Sequence, residues 1–304
     1  MTVRVATLAY PIEAHASFEA FQKKQERLVS EACARGAQLL VFPEYASMEL
    51  GSLRGGTASS AGPRALAGEL EDMQGWLEAY RETYRSLAER FGVVISAPSF
   101  PERVDEGRAN SFRNRVRVFG PSGVEGLSEK VMMTRFENEH WGIQAGSQQT
   151  VFENAWGWLG LSVCYDSEFP LLVRRQVEAG ARVMLVPSCT DTLAGYHRVQ
   201  ISCRARALEN QCFVVQSVTV GSAPWSVAID ENTGAAGVFG PVDRGFPSDG
   251  VLALGAIGEP GWVFADLDLE RLNEVRRDGQ VRNHQDWQLA GHLVGEVERV
   301  SLLR

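Results

Sequence analysis

Apolar and polar residues follow two different periodicities along the chain, one typical of strands and the other of helices. Short apolar runs bounded by glycine or proline predict buried strands at residues 3–9, 37–44, 91–100, 158–166, 181–188 and 212–220, and an alternating strand at residues 114–123. Apolar residues at helical spacing predict helices over residues 16–35, 63–90, 170–180 and 195–210. Strands that alternate with helices in this way predict an α/β fold.

The chain has 304 residues, a length that suits one large α/β domain or two smaller domains. It contains no internal repeat and no composition break of the kind that marks a linker. Glycine and proline are frequent over residues 221–262, where loops and shorter strands are expected. We therefore predict one domain over residues 1–270, with residues 271–304 as a C-terminal arm of the same domain.

The composition and charge exclude several classes of protein. Hydrophobic residues make up 44% of the chain, and 30 basic against 38 acidic residues give a net charge of −8. An acidic protein is a poor partner for nucleic acid or for an anionic membrane surface, because both are negatively charged. No apolar run approaches the roughly 18 residues of a membrane span, and the N-terminus lacks the apolar block of a signal peptide. We predict a cytoplasmic protein with no nucleic-acid or membrane partner.

The chain has five cysteines, and no two of them form a CxxC pair. An odd number without paired spacing predicts neither a disulfide framework nor a cysteine-based zinc site. No spacing of histidine or cysteine resembles any other set of metal ligands. We therefore predict no metal site.

Three reactive side chains follow predicted strands, where α/β sheets tend to place their sites. Glu44 follows the apolar run LLVFP, where loss of hydration would raise the pKa of its carboxyl group. Lys130, in SEKVMM, carries an ammonium group that could stabilise a developing oxyanion. Cys164, in VCYDSEFP, lies at a predicted turn between strand and helix, whose N–H groups can stabilise a thiolate. Taken alone, each residue could instead be an ordinary one: a solvated glutamate, a surface lysine or a buried structural cysteine.

Together these residues resemble the nitrilase or carbon–nitrogen hydrolase superfamily. The similar segments are VRVATLAYP near the N-terminus, FPEY around Glu44, SEKVMM around Lys130, CYDSEFP around Cys164 and RARALENQCFVV downstream. The resemblance extends from about residue 3 to about residue 270, and the cysteine and RARALEN segments are its most specific parts. It implies a four-layer α-β-β-α sandwich, in which two sheets face each other and helices cover their outer faces.

The resemblance also implies a hydrolase that cleaves a non-peptide carbon–nitrogen bond of a small molecule. Cys164 would attack the substrate and form a thioester, and Glu44 would act first as general base and then as general acid. Lys130 and the backbone N–H of Tyr165 would stabilise the oxyanion. No cofactor is implied, because these groups account for every proton and charge transfer. Family members usually associate through helices near the nucleophile, so a homodimer or larger homo-oligomer is expected.

The family often has a second glutamate after the lysine, and two residues compete for this position. We favour Glu137, which directly follows the apolar and basic run, although the distance from Glu139 to Gly146 also fits. Lower-ranked candidates for contact with the substrate are Glu139, Trp141, Glu168 and Tyr196.

The residues after the nucleophile bear on the choice between amides and nitriles. Nitrile-cleaving members typically carry a Trp–Glu pair there, whereas Tyr165 and Asp166 follow Cys164 here, which is more like the amidase and N-carbamoyl branches. We therefore predict hydrolysis of an amide or N-carbamoyl compound, with nitrile hydrolysis as an alternative. A papain-like cysteine hydrolase would need a histidine base such as His197, and a non-catalytic binding protein of the same fold is the remaining alternative.

Overall fold

The computed structural model describes residues 1–54, 63–104, 111–293 and 295–303. Within these ranges the strands are β1 (Thr2–Pro11), β2 (Leu39–Val41), β3 (Val94–Ser96), β4 (Phe100–Arg103), β5 (Phe112–Phe119), β6 (Glu125–Glu129), β7 (Ile143–Gln144), β8 (Phe152–Asn154), β9 (Gly157–Leu161), β10 (Ala181–Ser188), β11 (Phe213–Ser222), β12 (Glu231–Asn232), β13 (Gly237–Phe239), β14 (Val251–Leu254) and β15 (Gly261–Asp268). The α-helices are α1 (Phe18–Ala34), α2 (Pro63–Met73), α3 (Leu77–Phe91), α4 (Pro170–Glu178), α5 (Leu193–Asn210), α6 (Leu269–Asp278) and α7 (Asn283–Leu293). Strands and helices alternate along most of the chain, as predicted.

The strands form a curled sheet with two halves. In the first half β1, β2 and β3 run parallel, and β5 continues the sheet in the antiparallel direction. In the second half β9, β10 and β11 run parallel. The halves join where the end of β1 pairs in parallel with β11, from Ala9 opposite Val218 to Pro11 opposite Val220. The six parallel strands therefore end at one edge of the sheet, which is where α/β folds tend to build sites.

Successive side chains of the strands enter two different apolar cores, and this gives the molecule its layers. In β1, Val5 belongs to a core shared with strands of the second half, whereas Leu8 and Tyr10 belong to a core shared with α1 and α3. This division follows the two-residue period of a strand. Helices α4 and α5 cover the second half through residues such as Val173 and Val199. The predicted four-layer α-β-β-α sandwich is confirmed.

The strand predicted over residues 158–166 ends at Leu161, and its last three residues belong to the 3-10 turn Cys164–Glu168. Two further predicted elements are interrupted, each at a residue that disfavours the element. The helix predicted over residues 63–90 is divided into α2 and α3 by a 3-10 turn at Gln74–Trp76, where Gly75 has low helical propensity. The strand predicted over residues 91–100 is reduced to β3 and the first residue of β4. Pro98 lies between them and has no N–H group to donate to the ladder.

The C-terminal region contains α6 and α7. Helix α6 begins after Asp268, whose side chain accepts hydrogen bonds from two N–H groups of the first turn, and Leu269 and Leu272 are buried in the core. No helix in the described ranges is both long and apolar enough to cross a membrane. The bounds 1–270 and 271–304, the homo-oligomer and the cytoplasmic location stay predictions.

Candidate active site

Glu44, Lys130 and Cys164 meet in a cavity of about 350 Å³. Glu44 lies three residues after the end of β2, Lys130 directly follows β6, and Cys164 lies three residues after the end of β9. Each of the three residues is at most 5% exposed. The topology thus collects a thiol, a carboxyl group and an ammonium group in a space from which most water is excluded, and electrostatic interactions are stronger there than in water.

The backbone at Cys164 has a left-handed conformation. Its φ is 49°, which is uncommon for a residue other than glycine, and it opens a short 3-10 turn, Cys164–Glu168, that precedes α4. In this turn the thiol donates to the carbonyl oxygen of Cys189, with Sγ 3.8 Å from that oxygen. Sparsely populated backbone conformations of this kind cluster at functional sites.

Asp166 fixes the turn of Cys164 against the segment that carries Lys130. Its carboxylate accepts hydrogen bonds from the backbone N–H groups of Val131 at 3.2 Å, Met132 at 2.7 Å and Val163 at 3.1 Å. The residue is 3% exposed. Asp166 therefore shapes the turn, because its oxygens are occupied by backbone donors.

We expect Asp166→Ala to destabilise the protein by about 3 kcal/mol, because buried N–H groups that lose their acceptor retain their full desolvation penalty. In a chain of this length such a loss lowers the Tm by roughly 5 °C. Thermal unfolding of the wild type, Asp166→Ala and Asp166→Asn measures the effect, and the asparagine variant, which keeps one acceptor oxygen, should lie between the other two. A Tm of Asp166→Ala equal to that of the wild type would contradict this role.

Lys130 lies between two carboxylates. Its Nζ donates to Oε1 of Glu44 at 2.8 Å and to Oε1 and Oε2 of Glu137 at 2.7 and 2.8 Å. Lys130 is 1% exposed and Glu137 is 3% exposed. Of the two glutamates that competed in the sequence, it is therefore Glu137 that contacts the lysine.

Three further residues, which the sequence did not reveal, hold the carboxylates of Glu44 and Glu137 in place. Glu44 accepts from Nδ2 of Asn114 at 2.9 Å and from the backbone N–H of Cys189 at 3.0 Å, each with a different oxygen. The hydroxyl of Tyr45 donates to Oε1 of Glu137 at 2.6 Å. Both oxygens of Glu44 are thus fixed by donors from other strands and loops.

Burial and charge set the protonation states of these groups. Burial raises the pKa of Glu44 to about 7, although Lys130 opposes the shift. Burial alone would lower the pKa of Lys130, but the negative charges of Glu137 and Glu44 outweigh it, so this pKa lies well above its usual value. Burial would raise the pKa of Glu137, but Lys130 outweighs it and the pKa is lowered. Burial, and then the charge of Glu44, raise the pKa of the Cys164 thiol well above its usual value.

The remaining predicted residues divide into two groups. Tyr165, Trp141 and Glu168 line the cavity. Glu139 does not, because it turns outward and pairs with Arg135, with Oε2 2.8 Å from Nε. Tyr196 is also outside the lining. It is 1% exposed and its hydroxyl accepts a hydrogen bond from Gln200. The structure therefore does not support contact with a substrate for Glu139 or Tyr196.

The cavity differs from a papain-like site and from a metal centre. His197 is exposed, and in the part of the chain that the structure describes no histidine lines the cavity. Among the same residues, no group of three or more His, Cys, Asp or Glu side chains is arranged to hold a metal ion. Cys164 therefore shares the cavity with carboxyl groups and an ammonium group instead of a histidine, an arrangement unlike the cysteine–histidine pair of papain-like hydrolases.

Comparisons with known proteins identify the family of the chain. The family model of carbon–nitrogen hydrolases matches residues 4–277. The chain is 32% identical over 285 residues to the probable hydrolase YhcX of Bacillus subtilis. The match covers 93% of this chain and 53% of YhcX, so the chain spans about half of the length of that relative. It is 27% identical over 277 residues to a deaminated glutathione amidase of Synechocystis, with coverage of 86% of this chain and 91% of the relative.

A solved structure gives the same result for the fold. The carbon–nitrogen hydrolase of Helicobacter pylori superposes with a TM-score of 0.73 at 21% identity, over 91% of this chain and 92% of that one. The family match extends over both halves of the sheet and includes every residue of the Glu44, Lys130 and Cys164 cluster. The resemblance seen in the sequence is confirmed, and the chain belongs to the carbon–nitrogen hydrolase family.

Proposed function

We propose that the protein hydrolyses an amide or N-carbamoyl bond of a small molecule through a thioester on Cys164. The observation that carries this proposal is the meeting of the Cys164 thiol, a Glu44 carboxyl group with a pKa of about 7 and the Lys130 ammonium group in one buried cavity. The amidase name of a relative that matches 86% of the chain supports the same reaction class.

Glu44 serves as the general base of the first step. Burial keeps Cys164 in the thiol form at neutral pH, and a thiol is a weak nucleophile until a base takes its proton. A base is most effective when its pKa is close to the working pH, which describes Glu44. Asn114 and the N–H of Cys189 hold its two oxygens in place.

Lys130 stabilises the oxyanion that forms when Sγ attacks the carbonyl carbon. Its ammonium group is buried and held in place before the substrate arrives, so little reorganisation is needed as negative charge develops. The backbone N–H of Tyr165 is the second donor in this proposal, since Tyr165 follows Cys164 and lines the cavity. Glu137 stays ionised and keeps Lys130 charged.

The remaining steps return every group to its starting state. The protonated Glu44 gives its proton to the leaving nitrogen, the carbon–nitrogen bond breaks, and the acyl group remains on Sγ as a thioester. Glu44 then takes a proton from a water molecule while the water oxygen attacks the thioester carbon, and it gives this proton to Sγ as the carbon–sulfur bond breaks, which releases the acid and the free thiol. One water molecule is consumed for each amine or ammonia released.

The pH dependence of kcat/KM follows from the Glu44 carboxyl group. Because its pKa is about 7, the carboxylate form that can accept a proton declines below this pH. We expect kcat/KM for a neutral amide to fall about tenfold per pH unit on the acid side and to level off above it. Rates measured from about pH 5 to pH 9, with thermal unfolding at each pH as the control for stability, check this. A flat profile in a folded protein would contradict the role of Glu44.

The reaction class is tested by release of ammonia from a panel of compounds. The panel contains aliphatic and aromatic amides, ω-amides of dicarboxylic acids, N-carbamoyl amino acids and nitriles, with Cys164→Ala as the blank. We expect release from an amide or N-carbamoyl compound that is absent in the blank. Release from nitriles alone would show that Tyr165 and Asp166 do not mark an amidase.

A further inference from the structure

Three carboxylates line the same cavity without a basic partner. Asp191, Asp230 and Glu231 are part of the lining, all three are exposed, and none forms an ion pair with a basic residue in the described part of the chain. Glu168 also lines the cavity, but it is paired with Arg198, with 3.4 Å between Oε1 and Nε. The cavity wall thus carries three uncompensated negative charges beyond the Glu44, Lys130 and Glu137 cluster.

These carboxylates belong to two segments that are fastened to each other. The backbone N–H of Thr233 donates to the carbonyl oxygen of Thr190 at 2.8 Å, and the hydroxyl of Thr190 donates to the carbonyl oxygen of Thr233 at 2.8 Å. Sγ of Cys189 and Oδ1 of Asn232 are 3.0 Å apart. These contacts hold the backbone of Asp191 next to the segment that carries Asp230 and Glu231, so their negative charges add up on one side of the cavity.

Individual contacts hold two of the carboxylates in place. Asp230 accepts the backbone N–H of Glu231 at 3.0 Å, and Glu231 accepts the hydroxyl of Ser222 at 3.1 Å. Neutral donors of this kind orient a carboxylate but leave its charge uncompensated. A cationic group of a ligand would remove the repulsion among them.

The cavity also has an aromatic wall, and one of its rings carries a buried N–H without a partner. The wall consists of the rings of Tyr45, Phe136 and Trp141. The ring centroid of Trp141 lies 4.7 Å from that of Tyr45 and 5.9 Å from that of Phe136. Trp141 is 4% exposed, and its indole N–H has no acceptor among the described residues. A buried N–H without a partner is rare and calls for an acceptor such as a water molecule or a ligand atom, and aromatic faces attract cations.

We propose that the site selects amides or N-carbamoyl compounds that carry a protonated amine at the end remote from the scissile bond. This rests on the proposed function. The carbonyl carbon lies at Sγ of Cys164, and the ammonium group lies among Asp191, Asp230 and Glu231. A substrate with a carboxylate at that end is disfavoured, because it would add a negative charge to a wall that already carries three.

Three aliphatic amides of similar length test the proposal. They are 5-aminopentanamide, which is cationic, pentanamide, which is neutral, and the monoamide of glutaric acid, which is anionic. We expect kcat/KM to fall in that order, by about tenfold at each step, since one partly screened charge contact of this kind is worth about a factor of ten. The preference should shrink at high salt, because salt screens exposed charges.

Two double variants with the same change in net charge identify the residues responsible. Asp191→Asn with Glu231→Gln should lower the ratio of cationic to neutral kcat/KM from about ten to nearly one. Glu89→Gln with Glu153→Gln, at exposed positions outside the cavity lining, should keep the wild-type ratio. An equal fall of the ratio in both double variants would overturn the assignment to the cavity wall.

The outcomes separate this inference from the proposed function. Equal rates for the three amides, or a preference for the anionic one, would overturn the inference while the amidase activity stands. Absence of turnover above the Cys164→Ala blank for every compound of this series and of the wider panel would overturn both. A cationic preference that is lost only in Asp191→Asn with Glu231→Gln supports both.

Discussion

Replacement of Cys164 by alanine is expected to lower kcat for amide hydrolysis by about 10⁵-fold or more, which is the scale of effect when an enzyme loses its nucleophile. Sγ is the atom that would form the bond to the substrate. Among the described residues that line the cavity, Cys189 carries the only other thiol. Ammonia release under saturating substrate measures the loss, and circular dichroism verifies that the variant is folded.

Cys189→Ala is the matched control for this experiment. It removes the second thiol of the cavity but retains the backbone N–H that donates to Glu44. We expect its rate to stay within about tenfold of the wild type, since its side chain takes no part in the reaction. If Cys189→Ala loses more activity than Cys164→Ala, the nucleophile is assigned to the wrong cysteine.

Lys130→Met should have the second largest effect and should act on both activity and stability. Loss of a positioned oxyanion donor lowers kcat by about 10²- to 10³-fold. The variant also leaves Glu44 and Glu137 facing each other without the cation that lies between them. Removal of one partner from a buried ion pair costs about 3–5 kcal/mol, so unfolding in denaturant should show a large loss.

A second substitution separates the two effects of Lys130. In Lys130→Met with Glu137→Leu, one of the two stranded carboxylates is also removed, so much of the lost stability should return. Activity should not return, because the oxyanion still lacks its ammonium donor. Recovery of activity along with stability would mean that Lys130 is needed for the fold and has no direct part in the reaction.

The positions of Glu44, Lys130 and Cys164 could be predicted from the sequence because each follows a recognisable strand. Parallel strands end at the same edge of a sheet, so residues far apart in the chain are expected to meet there. Asn114 and Tyr45 could not be predicted in the same way. Asn114 lies inside β5, and its amide reaches Glu44 only through the pairing of strands, which periodicity alone does not specify.

The choice between Glu137 and Glu139 was open in the sequence for a related reason. Both residues belong to the helical turn Glu137–Trp141, and side chains two residues apart on such a turn point in nearly opposite directions. Only the packing of the turn determines which carboxylate faces Lys130. The same argument applies to α5, where Gly195 and Val199 line the cavity and Tyr196 lies off that face.

Acid quench of the wild-type enzyme during amide turnover, followed by mass spectrometry of its peptides, would identify the atom that carries the acyl group. We predict a peptide containing Cys164 whose mass is increased by the acyl group of the substrate, because the amine leaves before water attacks the thioester. The adduct should be absent in Cys164→Ala. An acyl group on Cys189 or on any other residue would contradict the proposed reaction, as would ammonia release by Cys164→Ala at a rate close to that of the wild type.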